Sequence, residues 1–301
     1  MNEPLENKSG IVLAMFGTSV ESGLSGFLNI RDKMVERFPG TPVRMAFTSS
    51  IIRNIWQKRA KDPSYSQDHP EVPEDILHIG EPLSAITDLQ QGGHNSIVVQ
   101  PVHIAPADEF LDLMAYVEDM NGVHTQAGPF TRLVIGRPAL GSFGSQHHYT
   151  RDIKEVVQAV AEDVEQARDE NAALVYMGHG NQYYPSSGVY LEFAAEMNRV
   201  YPDILTAIIT LKGVPTLHDA VARLKEYNVK KVLLKPFMVV AGNHARRDMI
   251  GDSPESLLKR LEAEGFLVHP VMSGLGEQDA FARVFVQHAE DAASAAGIEL
   301  K

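Results

Sequence analysis

Eight short apolar runs recur along the chain: Ile11 to Phe16, Val43 to Phe47, Ser96 to Ile104, Leu133 to Arg137, Ala173 to Met177, Ile204 to Leu211, Val232 to Val240 and Phe266 to Met272. Their hydrophobicity is nearly continuous rather than alternating, the pattern of strands covered on both faces of a parallel sheet. Amphipathic stretches of helical period fill the gaps, most clearly Tyr149 to Arg168, Thr216 to Tyr227 and Glu277 to Ala296. Strands alternating with helices predict an α/β fold.

The order of features repeats. Met15-Phe16-Gly17-Thr18-Ser19 closes the first run of one half, and Tyr176-Met177-Gly178-His179-Gly180 closes the first run of the other. Ile97-Val98-Val99-Gln100-Pro101-Val102-His103 matches Val232-Leu233-Leu234-Lys235-Pro236-Phe237-Met238 in pattern and in the place of its proline. The expectation is two similar lobes, each a parallel sheet flanked by helices, with a cleft between them. Gly141-Ser142-Phe143-Gly144-Ser145-Gln146 reads as a linker. It sets an N-terminal lobe at residues 1–140 and a C-terminal lobe at 141–301. Lys61 to Glu74 reads as a surface loop.

The balance of charge narrows the function. A formal net charge of -12 argues against a nucleic-acid partner, which needs a basic face to neutralise phosphates, and suits the collection of cations. With no cysteine in the 301 residues, disulfides, thiolate metal sites and cysteine nucleophiles are excluded. No apolar run is long enough to cross a bilayer, and the polar start lacks a signal-peptide core. The expected location is the cytoplasm, or the periplasm if a leader has been removed.

The chemistry concentrates where strand-like runs end. His179 follows one such run and His244 another, each at a turn of small residues. In an open parallel sheet the carboxyl ends of the strands form the ligand-binding edge. Two imidazoles brought together there can bind a divalent metal or move protons, and the competing reading is a pair of satisfied histidines beside turns. Thr18 and Ser19 follow Gly17 at a helix start, where they either hold a substrate carboxylate or cap the helix. Arg246 and Arg247 either clamp carboxylates or lie on the surface. No phosphate-binding loop, Gly-x-Ser-x-Gly elbow or His-Glu-x-x-His motif is present.

Several segments together carry a family resemblance: Phe16-Gly17-Thr18-Ser19, Ala46-Phe47-Thr48-Ser49, Val99-Gln100-Pro101-Val102-His103-Ile104, Met177-Gly178-His179-Gly180, Ala241 to Asp248, and Ser273-Gly274-Leu275-Gly276-Glu277. In order and spacing the chain resembles the anaerobic cobaltochelatases of the CbiK type, within the class II tetrapyrrole chelatases. The resemblance implies two α/β lobes, a tetrapyrrole substrate, a homo-oligomer, and ATP-independent insertion of Co²⁺ into sirohydrochlorin or precorrin-2 for cobalamin biosynthesis. Fe²⁺ and Ni²⁺ also suit imidazole ligands.

By the same resemblance, His179 and His244 hold the metal and relay protons. The family's third ligand, a glutamate, falls on Lys212. Glu192 and Asp248 are the candidate replacements for that carboxylate. Lys212, Tyr183, Thr18, Ser19 and Arg246 are the expected substrate-binding residues. His103 matches a histidine that ligates haem in some relatives. The preferred reading makes it a cleft-wall histidine equivalent to Met238, so haem is an allowed cofactor but not the favoured one. The lysine leaves a second function open, a non-catalytic tetrapyrrole or haem carrier or a chelatase homologue with an altered reaction.

Overall fold

The computed structural model describes residues 8–121, 130–144, 146–182 and 187–301. All eight expected strands form: β1 (Ser9–Met15), β2 (Val43–Phe47), β3 (Ser96–Pro101), β4 (Arg132–Ile135), β5 (Ala173–Gly180), β6 (Thr206–Lys212), β7 (Lys231–Pro236) and β8 (Leu267–Pro270). They make two four-stranded sheets of order β2-β1-β3-β4 and β6-β5-β7-β8, with parallel pairing throughout. The second order is the first with each strand number raised by four, so the duplication read from the sequence is a duplication of topology.

The strands alternate faces within this frame. Ile11, Leu13 and Met15 of β1 point into a large core shared by the two lobes, while Val12 and Ala14 point into a separate core on the outer face of the first sheet. In β5, Leu174 and Tyr176 join the shared core and Ala173, Val175 and Met177 the outer one. Burial on both faces explains why these runs carry no polar alternation. Two runs are longer in sequence than in structure. β3 and β7 end at Pro101 and Pro236, because a proline has no N–H with which to continue a ladder. The apolar residues beyond each proline become loop and turn toward the space between the lobes.

The last helix (Asp279–Ala295) does not stay with the lobe that precedes it. It packs on the helix Leu24–Arg37 and on β3 of the first lobe. Phe281, Ala282, Phe285, His288 and Ala289 are buried on a broad arc of its surface, as a helix enclosed between lobes requires. The carboxyl-terminal residue follows it, with the Gly40 N–H donating to the Lys301 carbonyl at 2.7 Å. A buried ion network closes the same seam. Arg137, just past β4, donates to both carboxylate oxygens of Asp152 (2.8 and 2.9 Å) and to Asp291 of the last helix (2.8 Å). The stretch expected as one helix over Tyr149 to Arg168 is two, Tyr149–Ala159 and Ala161–Asp169, which meet at Val160. The break leaves Asp163 buried, where it accepts from Tyr176 Oη (2.6 Å) and Gln278 Nε2 (2.6 Å) and pairs with Lys235. Among the described residues no helix is long and apolar enough to cross a membrane.

Candidate active site

The carboxyl ends of β1, β3, β5 and β7 meet around one cavity between the lobes. Its walls are Phe16 to Ser19 after β1, the loop from Val102 after β3, His179 and Gly180 at the end of β5, and Phe237 to Val240 with Gly242 to His244 after β7. Gly180 adopts a left-handed φ of 71°, and a Cβ there would lie 2.0 Å from the Lys212 carbonyl oxygen. Only glycine lets β5 pass the end of β6 so closely, and that passage sets the place of His179.

The sheet registers define which residues correspond. Ala14 faces Pro101, and Met177 faces Pro236. Two residues on, Phe16 is therefore the counterpart of His179, and Gly17 (φ 104°) the counterpart of Gly180. This corrects the sequence match, which set Gly17 against Gly178. The shared requirement is the left-handed turn, and Gly178 does not make it.

His179 and His244 come together, with ring centroids 5.1 Å apart and planes at 71°. Nδ1 of His179 lies 3.1 Å from the Gly180 carbonyl oxygen, and Nδ1 of His244 lies 2.6 Å from Asp248 Oδ2. A carbonyl only accepts, and so does an ionised carboxylate. Asp248 is ionised, since hydrogen bonding from Arg247 and then from His244 lowers its pKa against the opposing effect of burial. Both Nδ1 atoms are therefore donors, so Nε2 of each ring is the nitrogen left for a metal. Burial lowers the pKa of His179; the Gly180 hydrogen bond opposes this, His244 and Lys212 add to it, and Glu109 opposes it again. A neutral His179 at neutral pH is a ligand rather than a cation.

The remaining expected residues divide. Thr18 and Ser19 line the cavity, and each hydroxyl oxygen accepts one hydrogen bond from within the protein. Thr18 Oγ1 accepts from the Val20 N–H (3.2 Å), and Ser19 Oγ accepts from Asn243 Nδ2 across the lobes (3.2 Å). Arg246 reaches the other lobe to donate to Ser22 Oγ (3.0 Å) and does not line the cavity. Lys212 is exposed at the end of β6, on a groove behind the imidazole pair whose wall His179 and His244 share. Tyr183 lies outside the described residues. Neither suggested replacement carboxylate lines the cavity: Glu192 is hydrogen-bonded by Tyr149, and Asp248 is bound to the far side of His244. His103 stands in the cavity wall on the loop after β3, with both ring nitrogens buried and unpartnered.

One candidate residue escaped the sequence reading. Glu109 lies in the first turn of the helix Asp108–Met120 and lines the cavity opposite the histidines, near enough for its charge to act on His179. It follows Pro101 by the same eight residues by which His244 follows Pro236. That spacing was available in the sequence, but the change from imidazole to carboxylate hid it. Among the described residues, Asp152, Glu155 and His288 form the one set of three such groups close enough for a metal. Asp152 there already pairs with Arg137, so this set belongs to the interlobe seam.

Comparison with known proteins identifies relatives of this chain. The family described as cobalt chelatase (CbiK) matches residues 9–294. A sirohydrochlorin cobaltochelatase CbiKC of Nitratidesulfovibrio vulgaris is 34% identical over 289 residues, covering 96% of this chain and 92% of that one. A sirohydrochlorin cobaltochelatase of Salmonella typhimurium is 28% identical over 288 residues, covering 95% and 96%. The solved structure of SirB from Bacillus subtilis with Fe³⁺ superposes with a TM-score of 0.61 at 14% identity, covering 98% of this chain and 100% of that one, a likeness of fold.

Proposed function

The chain belongs to the cobalt chelatase (CbiK) family, and from that premise we propose that it inserts Co²⁺ into sirohydrochlorin, or its precorrin-2 form, without ATP. The observation that carries this reading is the imidazole pair. Two imidazoles with ring centroids 5.1 Å apart, each with Nδ1 engaged by an oxygen acceptor and Nε2 left to serve as a ligand, make a site that holds a dication without neutralising its charge. Two neutral ligands suit a transfer site, where the ion must leave for four macrocycle nitrogens.

Insertion replaces two pyrrole N–H protons by one Co²⁺, so two protons need acceptors. Each Nε2 holds either cobalt or a proton. While the pair carries the metal, the first proton goes elsewhere, and Glu109 is the carboxylate on the opposite wall. Once cobalt has passed into the ring, a freed imidazole takes the second. The charges around the pair favour the passage. Lys212 lies behind the imidazoles and Glu109 across the cavity, so the field drives a cation from the histidines toward the macrocycle. On this reading Lys212 assists release, although it weakens resting affinity.

Co²⁺-dependent change in the absorbance of sirohydrochlorin, followed with and without protein and with ATP omitted, tests the proposal. Competition by Fe²⁺ and Ni²⁺ in the same assay ranks the metals. Binding of the macrocycle with no metal-dependent change would defeat the enzyme reading and leave a carrier.

A further inference from the structure

His103 is the histidine in the cavity wall that the mechanism above does not use. Its two ring nitrogens are buried without a hydrogen-bond partner. Native proteins rarely leave buried polar atoms unpaired, and each exception calls for a reason. Packing does not supply one. Pro101 and Pro236 occupy equivalent register positions, so His103 and Met238, each two residues further on, are counterparts. The second lobe fills the place with a thioether, which needs no partner. The neighbouring wall is apolar, built from Val102, Ile104 and Ala105. Burial lowers the His103 pKa to about 4, so the ring is uncharged when the cleft is empty.

We propose that His103 is a macrocycle-binding residue, a neutral hydrogen-bond partner that the tetrapyrrole satisfies on entering the cleft. This rests on the chelatase reading. A neutral imidazole offers one donor and one acceptor, and it adds no positive charge to a cavity that must also admit Co²⁺. It stands on the lobe opposite the metal-holding pair, so its contact is with the ring and not with the resting ion.

The test uses the full chain with His103→Met, which installs the side chain of the other lobe, and His103→Gln, which keeps a donor and an acceptor. Three quantities are measured: thermal stability without ligand, the dissociation constant for metal-free sirohydrochlorin, and the dissociation constant for Co²⁺ alone. The expected result for His103→Met is stability equal to or above wild type, about tenfold weaker sirohydrochlorin binding, and unchanged Co²⁺ binding. His103→Gln should recover part of the macrocycle affinity, and it carries the test if His103→Met does not fold. Wild-type affinity for sirohydrochlorin in His103→Met would overturn the proposal, since the orphaned nitrogens would then serve no ligand. Loss of Co²⁺ affinity would overturn it too, by making His103 a metal ligand. Failure of wild type to insert cobalt would defeat the chelatase reading alone, because the binding comparison does not depend on turnover.

Discussion

Asp248→Ala isolates the geometry of the metal site from its ligands. The carboxylate accepts from Nδ1–H of His244 at 2.6 Å, one helical turn away, and Arg247 holds it through donors at 2.7 and 3.1 Å. The turn that carries Arg247 and Asp248, Ala245–Met249, is a single π-helical turn that His244 caps, a form that recurs at functional sites. Removing the carboxylate frees the ring to rotate and lets the proton sit on Nε2, the atom that should face the metal. A charge-assisted hydrogen bond contributes about 1.5–3 kcal/mol in shelter. Here the side chains of His244 and Asp248 are 43% and 23% exposed, so screening favours the low end. The expected loss is about 1.4–2 kcal/mol, or roughly ten- to thirtyfold in Co²⁺ affinity, within the range seen when outer-sphere carboxylates are removed. Equilibrium dialysis against Co²⁺ reads it directly. Asp248→Asn keeps an acceptor oxygen in place and should lose less. A dissociation constant within twofold of wild type for Asp248→Ala would refute the positioning role.

His179→Ala and His244→Ala should each lower the insertion rate by at least about 10²-fold while circular dichroism shows the fold intact, since each removes a metal ligand and a later proton acceptor; unchanged rates in both would sink the mechanism. Glu109→Gln should bind Co²⁺ nearly as well as wild type yet turn over more slowly, and equal turnover would remove Glu109 as the first proton acceptor. Lys212→Glu should tighten Co²⁺ binding and, by the same reversal of charge, slow its release to the macrocycle; a titration and a turnover assay that both match wild type would show that the lysine is not felt at the metal. His103 should also leave a mark on pH stability. Its folded pKa of about 4 lies below the ordinary 6.5, so between those values the unfolded chain binds the extra proton; stability should be complete above about pH 6.5 and fall by up to about 3 kcal/mol as pH drops to 4. Comparing urea denaturation of wild type and His103→Met across that interval checks the sign.

The fold was legible because its strands are buried on both faces. Continuous apolar runs such as Val232 to Leu234 leave no alternative to a covered sheet, and their repetition in order exposed the duplicated topology. Legibility stopped where one local pattern serves two tertiary outcomes. The residues after Pro101 and Pro236 are as apolar as the strands before them, but they line a cavity instead of extending a ladder. The last helix is periodic enough to be found, yet nothing in its period says that it crosses to the first lobe. Its broad buried arc is a consequence of that placement and reads from the sequence as ordinary amphipathicity.

Duplication explains both what the sequence revealed of the site and what it concealed. The imidazole pair stood out because histidines after strand ends are chemically conspicuous. The other lobe presents its residues at equivalent places with different chemistry: Phe16 for His179, Glu109 for His244, His103 for Met238. A symmetric pair of half-sites would hold metal equally on both walls and would have no preferred direction of transfer. Here one wall presents imidazole nitrogens, the other a carboxylate, and a lysine stands behind the first. On the proposed mechanism, the polarity needed for directed transfer arises from divergence at a few strand-end positions on a frame of strands that the two lobes share. Those positions are invisible to hydrophobic periodicity, which is the same in both lobes, and only the hydrogen-bonded register identifies the counterparts.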